Sequence, residues 1–358
     1  MKYSILNQIE VLSFNISSGE LNYVNVNRDL IFRDKIWSKD TTVAGYFLDN
    51  HIFFFWENLD TVIFDVNTKQ ISNIGLVSPY SETLLNNKVI CNEYKDSISF
   101  EKKLIELNLE DFSKRDILDS FEYGLKLRIG NEIICSSSRT SLKSINLETG
   151  TYHWEIDLSD YCKVITVSNE IAQGMIRQVF GVFEDKLWVS FDQSKYAALD
   201  LATGKVLHYF KLADIDTALQ RVGVLFPYFD ARKGLLCFLE NRDYVEIDLS
   251  TQRIHRRKSF DTGNPNNDWN FSSNTFDDSH VYFTATRANS RFSPNYVGVF
   301  DRATMEITWS KDLELYKQPE VPNMPDRFLA QAPQSDGNKL YVLDTHHTLH
   351  IFEKEQNA

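Results

Sequence analysis

The sequence predicts an all-β fold assembled from a recurring four-stranded antiparallel unit, and three observations carry that prediction. The stretch from Lys186 to Phe210, KLWVSFDQSKYAALDLATGKVLHYF, reads as three strands: Leu187, Val189 and Phe191 alternate with other residues, and a DQS break and a Thr203-Gly204 turn separate the segments. An apolar strand ending in Asp, Asn or Glu recurs along the chain, marked by Asn15, Asp65, Asn108, Asn146, Asp200, Asp248, Asp301 and Glu353. The composition suits strands, with 42% hydrophobic residues, 25 Phe and 16 Tyr against 14 Gly and 8 Pro.

Each mark has a mechanical reason to recur. An Asp or Asn side chain there accepts hydrogen bonds from N–H groups two residues on, and a following Thr-Gly closes a hairpin. The eight marks from Asn15 to Glu353 enclose seven intervals, a spacing of about 48 residues, the size of a four-stranded propeller blade. A second mark, a polar turn followed by an apolar strand, occurs seven times, at Asp49, Asn86, Gly130, Glu184, Arg232, Asp278 and Gly337. No copy precedes Asn15, so the first hairpin reads as part of an incomplete unit, and the last unit lacks its outermost strand. The expected architecture is a single domain over residues 1–358, a seven-bladed β-propeller of four-stranded antiparallel blades. Strands within about residues 1–26 complete the last blade and close the ring, which removes the open edges of a linear array.

The unit "strand, polar break, LDxxTGxxxW" resembles the pyrroloquinoline-quinone-like β-propeller repeat. NLETGTYHW at Asn146 to Trp154 and LDLATGKVLH at Leu199 to His208 carry the resemblance; DRATMEITW at Asp301 to Trp309 has Met305 where the pattern has Gly. The resemblance implies that Trp154 and Trp309 pack between neighbouring blades. Asn73, His208 and Arg256 stand at that position elsewhere, so contacts there must be made differently. Quinone-dependent enzymes of the family are longer and exported, and carry a vicinal cysteine pair and a calcium site. This sequence shows none of these, so no cofactor is expected.

A net charge of -12 argues against nonspecific nucleic-acid binding and favours a basic protein partner. The N-terminal stretch does not read as a secretory signal, and no apolar run approaches the ~18 residues of a membrane span. Cys91, Cys135, Cys162 and Cys237 lack CxxC spacing and read as buried thiols of a reducing, cytoplasmic compartment. His346, His347 and His350 form HHTLH in a turn entering a strand, where extended geometry separates the first and last, so no metal site is expected. Asp277, Asp278 and Asp336 precede inner turns and read as turn formers. The basic run Arg253 to Ser259 reads as protection of a solvated outer strand.

No catalytic residue is singled out, since GxSxG, HExxH, P-loop and Rossmann patterns are absent. The expected role is a monomeric, non-enzymatic protein-binding scaffold of the cytoplasm, of inhibitor or immunity type. A hydrolase or lyase, or a small-ligand sensor, with a site at the propeller mouth is the alternative. The partner site is expected where the repeat is most irregular. Between Ser259 and Asp301 two long loops should meet on one face, bringing Trp269, Arg287, Arg291 and Phe292 together. LYKQPEVPNMPDRF, from Leu315 to Phe328, is a third contributor. The competing expectation is that the aromatics anchor the loops.

Overall fold

The computed structural model describes residues 2–355 except 18, 49, 57, 59, 81–82, 97, 99–100, 122–123, 218, 220–226, 291–292 and 318–326. Strands dominate, and the helices among the described residues are single turns such as Ser159–Cys162 and Leu212–Ile215. Six sheets are four-stranded and antiparallel, with strands in sequence order. They begin at Thr41–Leu48, Val77–Pro79, Gly124–Ile129, Ile176–Phe183, Tyr228–Asp230 and Trp269–Phe276.

A seventh, larger sheet resolves into two further repeats because one long strand, Tyr3–Ser17, serves both. Its first half pairs antiparallel with Thr348–Lys354, from Tyr3 opposite Lys354 to Glu10 opposite Thr348. Its second half pairs with Glu20–Asn25, after which Leu30–Phe32 and Lys35–Ser38 complete a four-stranded set. The N-terminal strand therefore supplies the outermost strand that the last repeat lacks, as its sequence implied.

Among the described residues the four-stranded sets number eight, one more than the seven blades the sequence predicts. The mark at Asn15 lies on the first strand of its repeat, ahead of the turn into Glu20–Asn25, so it belongs to an eighth copy of the inner turn and not to an outer hairpin. The missing outer hairpin is Phe32 to Lys35, where Arg33 and Asp34 adopt left-handed backbone without the Asp-x-x-Thr signature.

The recurring acid or amide acts as expected. The Oδ1 atoms of Asp200, Asp248 and Asp301 each accept the N–H of the Thr three residues on, at 2.8, 2.7 and 2.8 Å, and also its hydroxyl. The next residue is left-handed: Gly204 (φ 72°), Gln252 (φ 55°) and Met305 (φ 58°). Only glycine adopts that conformation without strain, so Met305 holds it against its side chain.

The chain divides into two compact parts, residues 1–46 with 235–358, and residues 47–234. In the second part, Trp154 donates from Nε1 to the carbonyl of Leu201 in the next repeat at 2.9 Å. Its ring lies so close to Gly204 that a Cβ there would sit 2.7 Å away. In the first part, Trp309 packs on Tyr3 and Phe352 with ring centroids 5.2 and 5.4 Å apart. Both tryptophans thus join neighbouring repeats.

In two of the repeats where tryptophan is replaced, arginine serves. Arg256 donates to the carbonyls of Arg302 and Ala303 at 3.0 and 2.7 Å, and Arg115 to that of Leu147 at 3.2 Å. Leu147, Leu201 and Arg302 each follow the marked turn residue, so one backbone acceptor recurs while its donor changes. Arg256 lies in the run read as edge protection; its guanidinium instead makes this contact.

Candidate interaction surface

The two irregular loops of the first part do meet. One runs from Phe260 to Asp268 and leads into Trp269–Phe276; the other runs from Ala288 to Asn295, after His280–Arg287. The first is folded on itself by Asp268, whose carboxylate accepts the N–H of Thr262 at 2.7 Å and its hydroxyl at 2.6 Å. Those hydrogen bonds, together with the charge of Arg242 at 3.6 Å, hold the Asp268 carboxyl below its usual range despite burial. Left-handed Gly263 and the N–H groups of Asn267 and Asp268, both bonded to the Asn264 carbonyl, complete a compact turn.

Three bonds tie the second loop to the first. Ala288 N–H donates to Asp268 O at 3.0 Å, Asn289 N–H to Pro265 O at 3.2 Å, and the Asn289 side-chain amide to Asn266 Oδ1. Arg287 stands opposite Trp269 in the sheet register, with its guanidinium 3.7 Å from the indole centroid. It also donates to Asn267 O at 3.0 Å.

Trp269 is only 7% exposed, edge-on to Phe283 and Tyr296 and stacked with Phe271. It underlies the surface. Arg287 is half-buried above it, and residues 261–267 are exposed. Arg291 and Phe292 lie outside the described residues, as does most of the third contributor. Its described ends are the turn Leu315–Lys317 and residues 327–328, and Leu329 just beyond them donates its N–H to Pro294 O at 2.8 Å.

Other residues singled out by sequence are committed to the fold. His350 is buried. Its Nε2 lies 2.8 Å from Asp344 Oδ2 and its Nδ1 2.9 Å from Gln8 Nε2, so both ring nitrogens are occupied. Arg327 Nε donates to the same Asp344 oxygen at 2.9 Å. Burial pushes the Asp344 carboxyl up, but these bonds and the Thr348 N–H outweigh it and hold it low.

Asp277 and Asp336 are turn formers with a second task. Asp277 accepts the N–H groups of Ser279 and His280 and the Tyr282 hydroxyl; Asp336 accepts those of Asn338 and Lys339 and the Tyr341 hydroxyl. A cavity of about 650 Å³ beside Asp336 is therefore lined by a carboxylate already engaged on both oxygens. Among the described residues, no group of three His, Cys, Asp or Glu side chains stands where it could hold a metal ion.

Sequence reasoning missed a buried polar cluster in the first part. Arg302 occupies a position that is Leu in four other repeats, and its guanidinium lies 3.2 Å from Cys237 Sγ, 3.3 Å from the Tyr244 hydroxyl and 3.6 Å from Glu246. Desolvation and the hydrogen bond to Glu246 raise the Tyr244 phenol far above its usual range. The signal was available as a charged residue in a mostly apolar column.

The four-stranded antiparallel sheets match those of β-propeller structures. No family model matches the chain, and no curated protein matches it. Among solved structures it is similar to the computationally designed Ika8 protein, at 11% identity over 97% of each chain with a TM-score of 0.56. It is also similar to Sqt1 of Saccharomyces cerevisiae, at 10% identity over 99% of each chain with a TM-score of 0.55. The C-terminal WD40 domain of Sif2 shows 10% identity over 99% of each chain and a TM-score of 0.61.

Proposed function

We propose that the chain is a non-catalytic protein-binding propeller whose eight repeats are closed into one ring by the paired terminal strands. Its partner docks on the surface made by residues 260–268 and 287–295. The observation that carries this reading is the joined loop pair. Two surface loops are locked together over a buried tryptophan, so Arg287 and the exposed Asn264, Asn266 and Asn289 are held in place before any partner arrives. Arginine is a residue type that dominates interface energies. Trp269 acts from beneath, by fixing Arg287. Arg291 and Phe292 belong to the same proposed surface by their place in the second loop.

A net charge of -12 supports a basic partner, and four free, buried thiols suit a reducing cytoplasm. An inhibitor that masks a basic toxin, from a monomeric chain, is the form of this reading that a neighbouring toxin reading frame would support. The turns closed by Asp-x-x-Thr and the Trp154 contact support a pyrroloquinoline-quinone-like version of the repeat, used here without the quinone.

The test is affinity capture from the native cell with the wild type and Arg287→Ala in parallel. The expected result is one stoichiometric partner on the wild type, lost by at least about tenfold on the variant, with the melting temperature changed by no more than about 4 °C. Equal capture by both, or turnover of a metabolite by the purified chain, overturns the reading.

A further inference from the structure

The connection from Tyr152–Asp157 to Ile176–Phe183, in the second part of the chain, carries a two-stranded hairpin outside the four-stranded repeats. Its strands are Lys163–Ile165 and Ile171–Gln173, joined by a turn with Asn169 in left-handed backbone. The tip is tightly determined: Thr166 N–H donates to Glu170 O, Asn169 N–H to Thr166 O, and Glu170 N–H to the Thr166 hydroxyl, at 2.9, 2.9 and 3.1 Å.

The base is clamped by the short turn DQSK. Asp192 accepts Met175 N–H at 2.8 Å and bonds Arg177, the Gln193 amide grips both main-chain groups of Ile165, and Lys195 donates to Lys163 O. Gly174 fits only because it has no side chain, since a Cβ would stand 2.5 Å from Cys162 O and 2.6 Å from Asp192 Oδ2.

On this rigid mount the hairpin is apolar outward. Ile165 and Ile171 are cross-strand partners, 62% and 76% exposed, and Val167 at the tip is fully exposed. Its two edges also differ. Thr166 N–H bonds Glu170 O and Gly174 N–H bonds Cys162 O, so the alternation of an antiparallel ladder makes Val164 and Ala172 the bonded pair between them. The N–H and C=O groups of Ile165 and Ile171, and of Lys163 and Gln173, therefore point away from the ladder. On the Lys163–Ile165 edge, Gln193 and Lys195 occupy them. On the Ile171–Gln173 edge, the main-chain groups of both residues have no hydrogen-bond partner among the described residues.

We propose that the Ile171–Gln173 edge is a docking strand for an extended segment of a protein partner, which adds to the hairpin as a third strand. Main-chain groups presented at strand spacing select an extended chain. The Ile165, Ile171 and Val167 side chains select aliphatic residues at alternate positions of that chain, and the exposed carboxylate of Glu170 at the end of the edge selects a basic residue beside them. Capping of the other edge leaves one place for a strand to add. The inference is independent of the loop surface proposed above, which lies in the other part of the chain.

The experiment uses a phage-displayed library of random heptapeptides panned on the full chain, with binding of the recovered peptides measured on purified protein. The expected peptides alternate aliphatic residues, carry Lys or Arg, and slow hydrogen exchange at the Ile171 and Gln173 amides when bound. Gln173→Pro removes one outward N–H without touching the ladder, and Ile165→Ser with Ile171→Ser removes the apolar face. Each should weaken the peptides at least about tenfold, while Arg287→Ala leaves them unchanged. If the proline variant melts early, synthetic peptides N-methylated at alternate residues replace it and should lose binding to the wild type. Peptides that bind both variants equally, recovery of no peptide that distinguishes wild type from the serine variant, or a wild-type dimer that the serine variant abolishes would each overturn the proposal.

Discussion

The two departures from the repeat, the loop pair at residues 260–268 and 288–295 and the hairpin Lys163–Gln173, are built in opposite ways, although residues 260–268 and the hairpin both lead from the fourth strand of one repeat into the first strand of the next. In the loop pair the large aromatic faces inward and the polar residues face water: Trp269 is buried under Arg287 while residues 261–267 are exposed. In the hairpin the polar residues do the inward work, through Asp192, Gln193 and Lys195, and the aliphatics face water. A loop long enough to need an anchor buries its aromatic, whereas a hairpin held by its neighbour's turn is free to expose its apolar side chains.

Substitutions can break this contrast, beginning with the largest expected effect. Trp269→Ala should cost about 3–5 kcal/mol in equilibrium denaturation, as for other buried aromatics. A cost below about 1 kcal/mol would make Trp269 a surface residue and erase the difference from the hairpin. Gly174→Ala forces a Cβ against backbone and should cost about 1–3 kcal/mol. Hydrogen exchange should quicken at Val164 and Ala172 and remain unchanged at residues 260–268. Gln193→Ala removes two bonds to Ile165 and should cost about 1 kcal/mol, read as faster exchange confined to the hairpin.

The smallest effect concerns acid. The Asp268 carboxyl is held low, so its folded pKa lies below the unfolded value of about 3.9 and its support for the loop is complete above that pH. The support is lost as pH falls through the folded value. Trp269 fluorescence should therefore report loosening of the loop below about pH 4, and Asp268→Asn should remove that step.

Much of the repeat was legible because its turn chemistry is local: Asp200, Asp248 and Asp301 each meet a Thr three residues on. The count erred at the N-terminus, where Tyr3–Ser17 belongs to two repeats and Phe32 to Lys35 lacks the signature. Of the surface, the meeting of the loops could be read from their length. The direction of Trp269 could not, because an aromatic beside an arginine looks the same in sequence whether it faces solvent or sheet. The hairpin escaped notice because KVITVSNEIAQ reads as ordinary strand and turn; its exposure depends on Gln193 and Lys195, some 28 and 32 residues away from their partners. Arg256 and Arg302 stood out in sequence as departures from their columns, but what they touch did not, since their acceptors and neighbours lie in other repeats.

A hydrogen-exchange footprint of the full chain, with and without its captured partner, tests the loop surface most directly. The loop surface should gain protection at residues 260–268 and 287–290, with the outer strands such as Arg253–Ser259 unchanged. Protection confined to those outer strands, or none at the loops while the partner remains bound, would contradict it.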